Sequence, residues 1–397
     1  MKLNIFSLNF PKIIRFIGNA LFLIFFLLVL IDPANTLLHK KDIIFILLFG
    51  YCILFYKPDL SKIPFIGSLV IAVLIPYLIS TMGTKNIDME DIMHVFKSIT
   101  PSILLLWVHH FDLLKLSRIP TIIVCLIMDI LFLSIIFVPE TEGAIYFVAT
   151  IESDNVMMAH RWFIGFEVFC MYLKSTVAMI LPMALYIYYC VTKGERTWSR
   201  WIACAIILFY FTFSGTRTTM LVPFFIIGIT IYTTFKDNPK AKLFFYPILL
   251  IGGIMFLYLI FLLASDTHEA SNLVKYGHIA SYTELFENNP IYLLTGQGPG
   301  AYFYSEGFGK YVLQTEWTYL ELVRWFGVFS ILIVGVFFWP LITFWKYRSD
   351  NLTFSLLGAY LAYLIIAGTN PLMSSSTGMM ALIIAYSYRD HIINKFN

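Results

Sequence analysis

The chain has 397 residues, of which 59% are hydrophobic and only 13% are charged, and its mean hydropathy is +0.80. Soluble domains are about half apolar and about one quarter charged, so this composition excludes an ordinary soluble enzyme and predicts an all-α membrane protein. The net charge of +3 is small, which argues against a nucleic-acid partner. The five cysteines lie in or beside apolar runs and have neither disulfide nor metal-site spacing.

A spanning helix needs about 20 mostly apolar residues. Hydropathy along the chain predicts about twelve such helices, the first of which reads as a retained signal-anchor because no small-residue cleavage site follows it. The predicted spans are 16–31, 42–56, 63–81, 93–111, 119–138, 171–191, 201–214, 218–235, 243–264, 322–345, 352–369 and 374–388.

Charge along the chain predicts the orientation of these spans. If both termini are cytoplasmic and the sides alternate, most of the 27 basic residues fall on cytoplasmic segments and most acidic residues fall on external ones. One missed helix would invert this pattern downstream, so the pattern favours an even number of spans. We therefore expect one integral membrane domain over 1–397, with cytoplasmic N- and C-termini.

Two external segments are long enough to carry function. One covers 139–170 and ends in an amphipathic stretch. The other covers 265–321 and is rich in glycine and proline, which predicts a structured loop with turns.

An ionisable residue at membrane depth is a functional candidate. Arg217 lies between two apolar spans in the turn Ser214-Gly215-Thr216-Arg217. A guanidinium among hydroxyl groups at the membrane edge suits a phosphate or diphosphate, which it can bind in a bidentate manner. The alternative is an arginine that extends to the interface without binding a ligand.

A second group of candidates is His160 and Arg161, which begin the amphipathic stretch. Glu167 and Lys174 follow them and are two helical turns apart from each other. Glu167 could therefore pair with Lys174 and leave Arg161 free. An interfacial helix with a solvated charged face explains the same pattern.

The long external segment holds further candidates. Lys275 and His278 lie early in it, and a lone loop histidine is more often structural than catalytic. The run from Gly296 to Gly300 has closely spaced glycines, which let a backbone approach a ligand or simply form turns. The segment ends in a predicted helix start that places Glu316, Tyr319 and Arg324 near the external interface. A carboxylate there could deprotonate an acceptor hydroxyl, although acidic and aromatic residues also mark ordinary helix starts.

Taken in order, the Ser214–Arg217 turn, the Gly296–Gly300 run and the helix start Glu316–Leu322 resemble the bacterial O-antigen polymerases, in the superfamily shared with the O-antigen ligases. The resemblance covers about 200–345. It implies a GT-C-like, inverting and metal-independent glycosyltransferase in the bacterial inner membrane that acts on the periplasmic side and needs no cofactor. Its donor and acceptor would be undecaprenyl-diphosphate-linked oligosaccharides, and its partners would include membrane lipid and a chain-length regulator.

The resemblance also implies roles for particular residues. Arg217 resembles the family arginine that holds the diphosphate, and Arg161 is a candidate for the second. Glu316 stands where ligases carry a histidine, which favours a polymerase and makes Glu316 the candidate base. His278 would help to position acceptor or phosphate. The family spacing of arginine and glycine occurs at Arg217 and again at Arg324, and the further candidate substrate-binding residues are Lys275, Tyr319 and His160.

Three alternatives stay open. A flippase or transporter for lipid-linked oligosaccharides has a similar span count, but transporters usually show repeated halves and midplane charges, and only Asp129 lies near a midplane here. A metal-dependent glycosyltransferase could use Asp88, Glu90 and Asp91. An O-antigen ligase would transfer the glycan to a lipid core and not to another repeat unit.

Overall fold

A computed structural model describes residues 5–83, 89–153, 155–163, 166–192, 197–213, 217–265, 270–370 and 372–396. The chain is mostly helical. The helices of the N-terminal half are α1 (Ile5–Ile31), α2 (Lys41–Phe55), α3 (Ile63–Gly83), α4 (Met89–Ile99), α5 (Leu113–Leu116), α6 (Arg118–Phe137), α7 (Thr141–Ile151) and α8 (Ile180–Val191).

The C-terminal half continues the same pattern. Its helices are α9 (Trp198–Phe213), α10 (Arg217–Phe235), α11 (Pro239–Ser265), α12 (Ala270–Asn288), α13 (Tyr292–Thr295), α14 (Thr318–Phe326), α15 (Ser330–Lys346), α16 (Asn351–Gly368) and α17 (Ser376–Phe396). Two antiparallel hairpins interrupt the helices, β1 (Val156–Phe163) with β2 (Phe166–Leu173) and β3 (Phe303–Ser305) with β4 (Lys310–Val312).

Every span predicted from hydropathy falls on a helical segment, with two corrections. Only the first part of 93–111 is α-helical; a 3-10 helix covers Thr100–Leu106, where Pro101 removes a backbone donor. The stretch 171–191 begins as strand β2 and becomes helical at Lys174.

Six helical stretches of the described chain are long and apolar enough to cross a membrane. They are Pro11–Ile31, Leu60–Met82, Leu113–Phe137, Lys174–Val191, Thr318–Lys346 and Asn351–Gly368. Shorter apolar helices occur at Ile92–Leu106, Trp198–Thr212 and Thr219–Phe235. These helices give the chain the multi-pass character of a membrane protein.

The helices differ in how deeply they are buried. Most of α16 and α17 is buried, and nearly all of α8 is. The outer helices instead expose large apolar side chains, for example Leu54 on α2 and Leu257 on α11. Apolar side chains on the outside of a helix bundle are solvated by lipid and not by water.

The predicted external segments meet at one end of the bundle. Asn155, which follows α7, receives a hydrogen bond from the backbone N–H of Ala34 and donates one to the buried Asp32 carboxylate. Ser376 at the start of α17 donates to the carbonyl of Pro33. Backbone N–H groups of Thr36 and Leu38 also bond Asp32. Burial raises the pKa of Asp32, but these donors outweigh it and hold the pKa below its usual value.

The predicted cytoplasmic segments meet at the other end. The Lys62 ammonium lies 2.6 Å from the Asp390 carboxylate of α17, and both side chains are more than nine-tenths buried. The backbone N–H of Leu113 donates to Ser387, again on α17. Lys395 pairs with Asp350 at 2.9 Å. α17 therefore connects three segments of this end.

The amphipathic stretch is a correction to the helical prediction. Residues 156–163 and 166–173 form the antiparallel strands β1 and β2, in which Arg161 pairs with Val168 and Trp162 with Glu167. Glu167 is thus in a strand, and its spacing to Lys174 is not that of two helical turns. The run of aromatic and β-branched residues explains the strand.

Candidate functional site

The predicted long external segment folds into a unit that we call the cap, residues 270–326. It contains α12, α13, the β3–β4 hairpin and α14. Tyr282 of α12 packs with Phe303 and Val312 of the two strands in a small apolar core of its own. The structured loop with turns predicted for this region is therefore mostly a helix and a hairpin.

Two residues of α14 join the cap to the bundle. The Thr318 hydroxyl donates to the backbone carbonyl of Asn370, and the Tyr319 hydroxyl donates to that of Leu364 at 2.9 Å. The Tyr319 ring lies so close to Gly368 that a Cβ on this glycine would be 2.2 Å from it. Tyr319 is thus a packing residue at the end of α16, and its hydroxyl is already occupied.

Arg324 is the most deeply buried cation of the cap. Its side chain is fully buried, and its guanidinium donates to the Gln297 amide oxygen, to the carbonyls of Ala301 and Leu313, and to the Glu321 carboxylate. Four of the five N–H groups of Arg324 thus bond within the protein, and the substrate-binding role predicted for this residue does not fit so enclosed a side chain.

The acidic partner of Arg324 is equally enclosed. Glu321 is 1% exposed and also accepts a hydrogen bond from Tyr282, whose hydroxyl lies 2.6 Å from that of Thr315. Burial raises the pKa of Tyr282, and the negative charge of Glu321 raises it further, so the phenol stays a donor. Glu321 and Tyr282 were not predicted from the sequence. The spacing of Glu321 and Arg324, which suits an ion pair on one helix face, was the available signal.

The glycine run has a structural role here. Gly296 has φ of +75°, and a Cβ on it would lie 2.3 Å from the carbonyl oxygen of Trp325. Gly327 has φ of +53° and faces the carbonyl of Leu294 in the same way. Gln297 then donates from its backbone N–H to the carbonyl of Arg324 at 2.6 Å. The glycines bring two backbones together and so place the acceptors that surround Arg324.

His278 is buried inside the cap. Its Nδ1 lies 2.8 Å from the hydroxyl of Ser305, and its ring packs edge-on to Phe308. Its Nε2 has no hydrogen-bond partner among the residues that the structure describes. Burial lowers the pKa of His278, and the nearby Lys275 ammonium lowers it further. The prediction that His278 contacts substrate does not fit its full burial; the ring joins α12 to the β3–β4 hairpin.

Glu316 differs from these buried groups because it is accessible. Its carboxylate lies 3.6 Å from the Lys275 ammonium, and the two side chains are 36% and 28% exposed. The indole N–H of Trp317 donates to the backbone carbonyl of Lys275, which holds the strand-to-helix connection against α12. Glu316 is thus a positioned carboxylate with an open side.

The backbone of Arg217 lies at the same end of the bundle. Three contacts show that α10 and α16 run antiparallel: Ile229 meets Gly358, Tyr232 meets Phe354, and Lys236 reaches the carbonyl of Ser349. As the residue number rises along α10, the number of the residue that it contacts falls by a similar amount, because both helices rise equally per residue. The first residue of α10, Arg217, is therefore level with the end of α16, where Asn370 receives the bond from Thr318.

The remaining predicted residues are only partly described. His160 lies on β1, and its Nε2 is 3.2 Å from the Glu142 carboxylate at an exposed position. The side chains of Arg161 and Arg217, the turn 214–216, and the side chains of Asp88, Glu90 and Asp91 lie outside the described residues.

Comparisons with known proteins do not place this chain: no family model, no curated protein and no solved structure matches it.

Proposed function

We propose that this protein is an O-antigen polymerase, which joins undecaprenyl-diphosphate-linked oligosaccharide units by inverting glycosyl transfer on the periplasmic face of a bacterial inner membrane. Twelve spans with both termini cytoplasmic form part of this proposal. It is supported by six helices of spanning length, and by the separation of the predicted external and cytoplasmic segments to opposite ends of the bundle.

One observation carries the proposal. An accessible carboxylate, Glu316, and the helix that begins at Arg217 lie at the same end of the bundle, joined through Thr318 and the end of α16. Glycosyl transfer from a lipid diphosphate needs a base for the acceptor and a cation for the leaving group, both at the membrane edge.

In the proposed reaction an acceptor sugar hydroxyl attacks the anomeric carbon of the donor from the side opposite the diphosphate. The new C–O bond forms as the bond from the anomeric carbon to the diphosphate oxygen breaks, and Glu316 takes the hydroxyl proton. The departing electron pair stays on the diphosphate, whose charge Arg217 stabilises. Lys275 holds the Glu316 carboxylate in place through their ion pair.

The buried groups of the cap support this site indirectly. Arg324, Glu321 and Tyr282 fix α14 against α12 and the glycine turn, and His278 fixes α12 against the hairpin. They are positioning residues, because none of them reaches the surface on which Glu316 lies.

The experiment that tests the proposal is a surface-glycan ladder on a denaturing gel from cells with and without the gene. A polymerase predicts that deletion leaves lipid core carrying a single repeat unit. Bare core with accumulated carrier-linked polymer would identify a ligase instead. Single carrier-linked units held on the cytoplasmic side would identify a flippase.

The leaving-group role of Arg217 has its own test. Arg217→Ala should abolish polymer while the protein still reaches the membrane. Arg15→Ala removes the same charge from an exposed position on α1 near the predicted cytoplasmic end and serves as the matched control. A normal ladder from Arg217→Ala would contradict the role.

A further inference from the structure

A basic cleft opens at the end of the bundle away from Glu316. It lies between the C-terminal end of α10 and the turn that joins α15 to α16, and its volume is about 420 Å³. Its lining consists of three cations, two hydroxyl residues and two aromatic rings: Lys236, Lys346, Arg348, Thr233, Ser349, Tyr232 and Phe354.

The cations of this cleft are not neutralised by carboxylates. Lys236 donates to the carbonyl of Ser349 at 3.5 Å, Arg348 donates to the carbonyl of Trp345, and Lys346 lies 5.1 Å from the centre of the Tyr347 ring. None of the three takes part in an ion pair within the described residues.

The nearest carboxylate of the connecting turn is already engaged. Asp350 accepts from the backbone N–H and the hydroxyl of Thr353 and pairs with Lys395 at 2.9 Å. Asp237 is the other acid next to the cleft in the sequence; it is exposed and does not line the cleft. The cleft thus has an excess of positive charge.

Apolar side chains adjoin the cleft. Tyr232 and Phe354 form one wall with their ring centres 6.2 Å apart. On α15, Ile342 and Trp345 are 60% and 58% exposed, within about one helical turn of Lys346. A ligand with an anionic head and an apolar tail matches this arrangement, whereas a free phosphate would use only the basic part.

Lysine and arginine near helix C-termini are also favoured by the helix dipole. That effect explains the charges but not a cleft in which the cations lie beside hydroxyl groups and an apolar border. We propose that this cleft binds the phosphodiester headgroup of an anionic phospholipid, with the acyl chains along α15. Basic pockets between membrane helices recognise such headgroups. The site is separate from the proposed polymerase reaction.

The test uses the full chain, purified and reconstituted into phosphatidylcholine nanodiscs with increasing phosphatidylglycerol, and native mass spectrometry to count retained lipids. We expect phosphatidylglycerol to be retained in preference to phosphatidylcholine. The triple variant K236Q/K346Q/R348Q should weaken this retention by at least about tenfold, because each cation near an anionic membrane contributes about fivefold to binding. If the triple variant folds poorly, the single variants K236Q, K346Q and R348Q are measured in the same way.

The matched control is K12Q/K57Q/K240Q, which removes three exposed cations from segments predicted to lie on the same side. It should retain phosphatidylglycerol as the wild type does. Equal loss in both triple variants, or equal retention of the two lipids by the wild type, would overturn the proposal. Displacement of phosphatidylglycerol by glycerol 3-phosphate or inorganic phosphate alone at similar affinity would also overturn it, since the ligand would then be a free phosphate.

Discussion

Glu316 and Glu321 are five residues apart, yet they lie in opposite environments. Glu321 is 1% exposed and lies between Arg324 and Tyr282. The Glu316 side chain is 36% exposed and has Lys275 as its ion-pair partner at 3.6 Å. Within one segment the chain therefore has a closed ion pair and an open one.

The difference distinguishes residues that stabilise the fold from residues that are accessible to a substrate. A buried charge needs its partner, so breaking the closed pair leaves an uncompensated charge that the fold cannot solvate. An exposed pair contributes little to stability, and its carboxylate remains free to meet a substrate. The residues that matter for the fold of the cap and those that matter for the proposed reaction should consequently respond differently to substitution.

The largest expected effect is that of Arg324→Met. The substitution leaves Glu321 buried without its cation, together with three acceptors that lose their donor. We expect a loss of about 3–5 kcal/mol in unfolding free energy, with little protein in the membrane. Thermal unfolding of the detergent-solubilised protein measures it. A wild-type Tm would show that the closed pair does not stabilise the cap.

Gly296→Ala should have the next largest effect. Alanine is strained at a φ of +75°, and its Cβ would meet the backbone of Trp325 and Phe326. We expect a cost of about 1–3 kcal/mol from backbone strain. Gly309→Ala is the matched control, since Gly309 also has positive φ but an open Cβ position. The comparison of the two Tm values isolates the close approach, and equal values would contradict it.

His278 should make stability depend on pH. Its pKa is lowered in the folded protein below the ordinary value of 6.5, so the unfolded chain binds the proton first. Stability is then fully present above pH 6.5 and decreases as the pH falls from 6.5 towards the folded pKa. His278→Gln should flatten this part of a Tm-against-pH curve. A variant with the wild-type slope would show that other groups cause it.

The smallest expected effect is that of Lys275→Gln on stability. The pair with Glu316 is partly exposed, so its loss should change the free energy of unfolding by no more than about 0.5 kcal/mol. The ladder should become shorter without disappearing, because the carboxylate remains but is less well held. A large drop in Tm would show that this pair belongs with the buried network.

The sequence predicted the helices better than the hairpins. Long apolar runs specify helices almost alone, and the predicted spans lie largely on helical residues, although 171–191 begins as strand β2. Residues 156–173 were less clear, because Glu167 and Lys174 fit a helical period while the surrounding aromatic and β-branched residues fit strands. The glycine at 165, between two apolar runs, was the hairpin signal.

The site was less predictable because burial within the cap depends on distant contacts. Arg324 is enclosed by acceptors from Gln297, Ala301 and Leu313, which no local pattern brings together. The Gly296–Gly300 run was identified from the sequence, but the backbone that it packs against, at Trp325 and Phe326, was not. Glu316 is 36% exposed, and the role of base predicted for it stays a prediction.

The most direct test of the central claim compares Glu316→Gln with Glu321→Gln in the same cells, with glycan ladders and membrane protein levels measured together. We predict that Glu316→Gln keeps the wild-type protein level but lowers polymer formation by about 10²–10⁴, the usual contribution of a general base. Glu321→Gln should lower the protein level, with polymer falling in proportion. A normal ladder from Glu316→Gln would contradict the claim that the open carboxylate is the base.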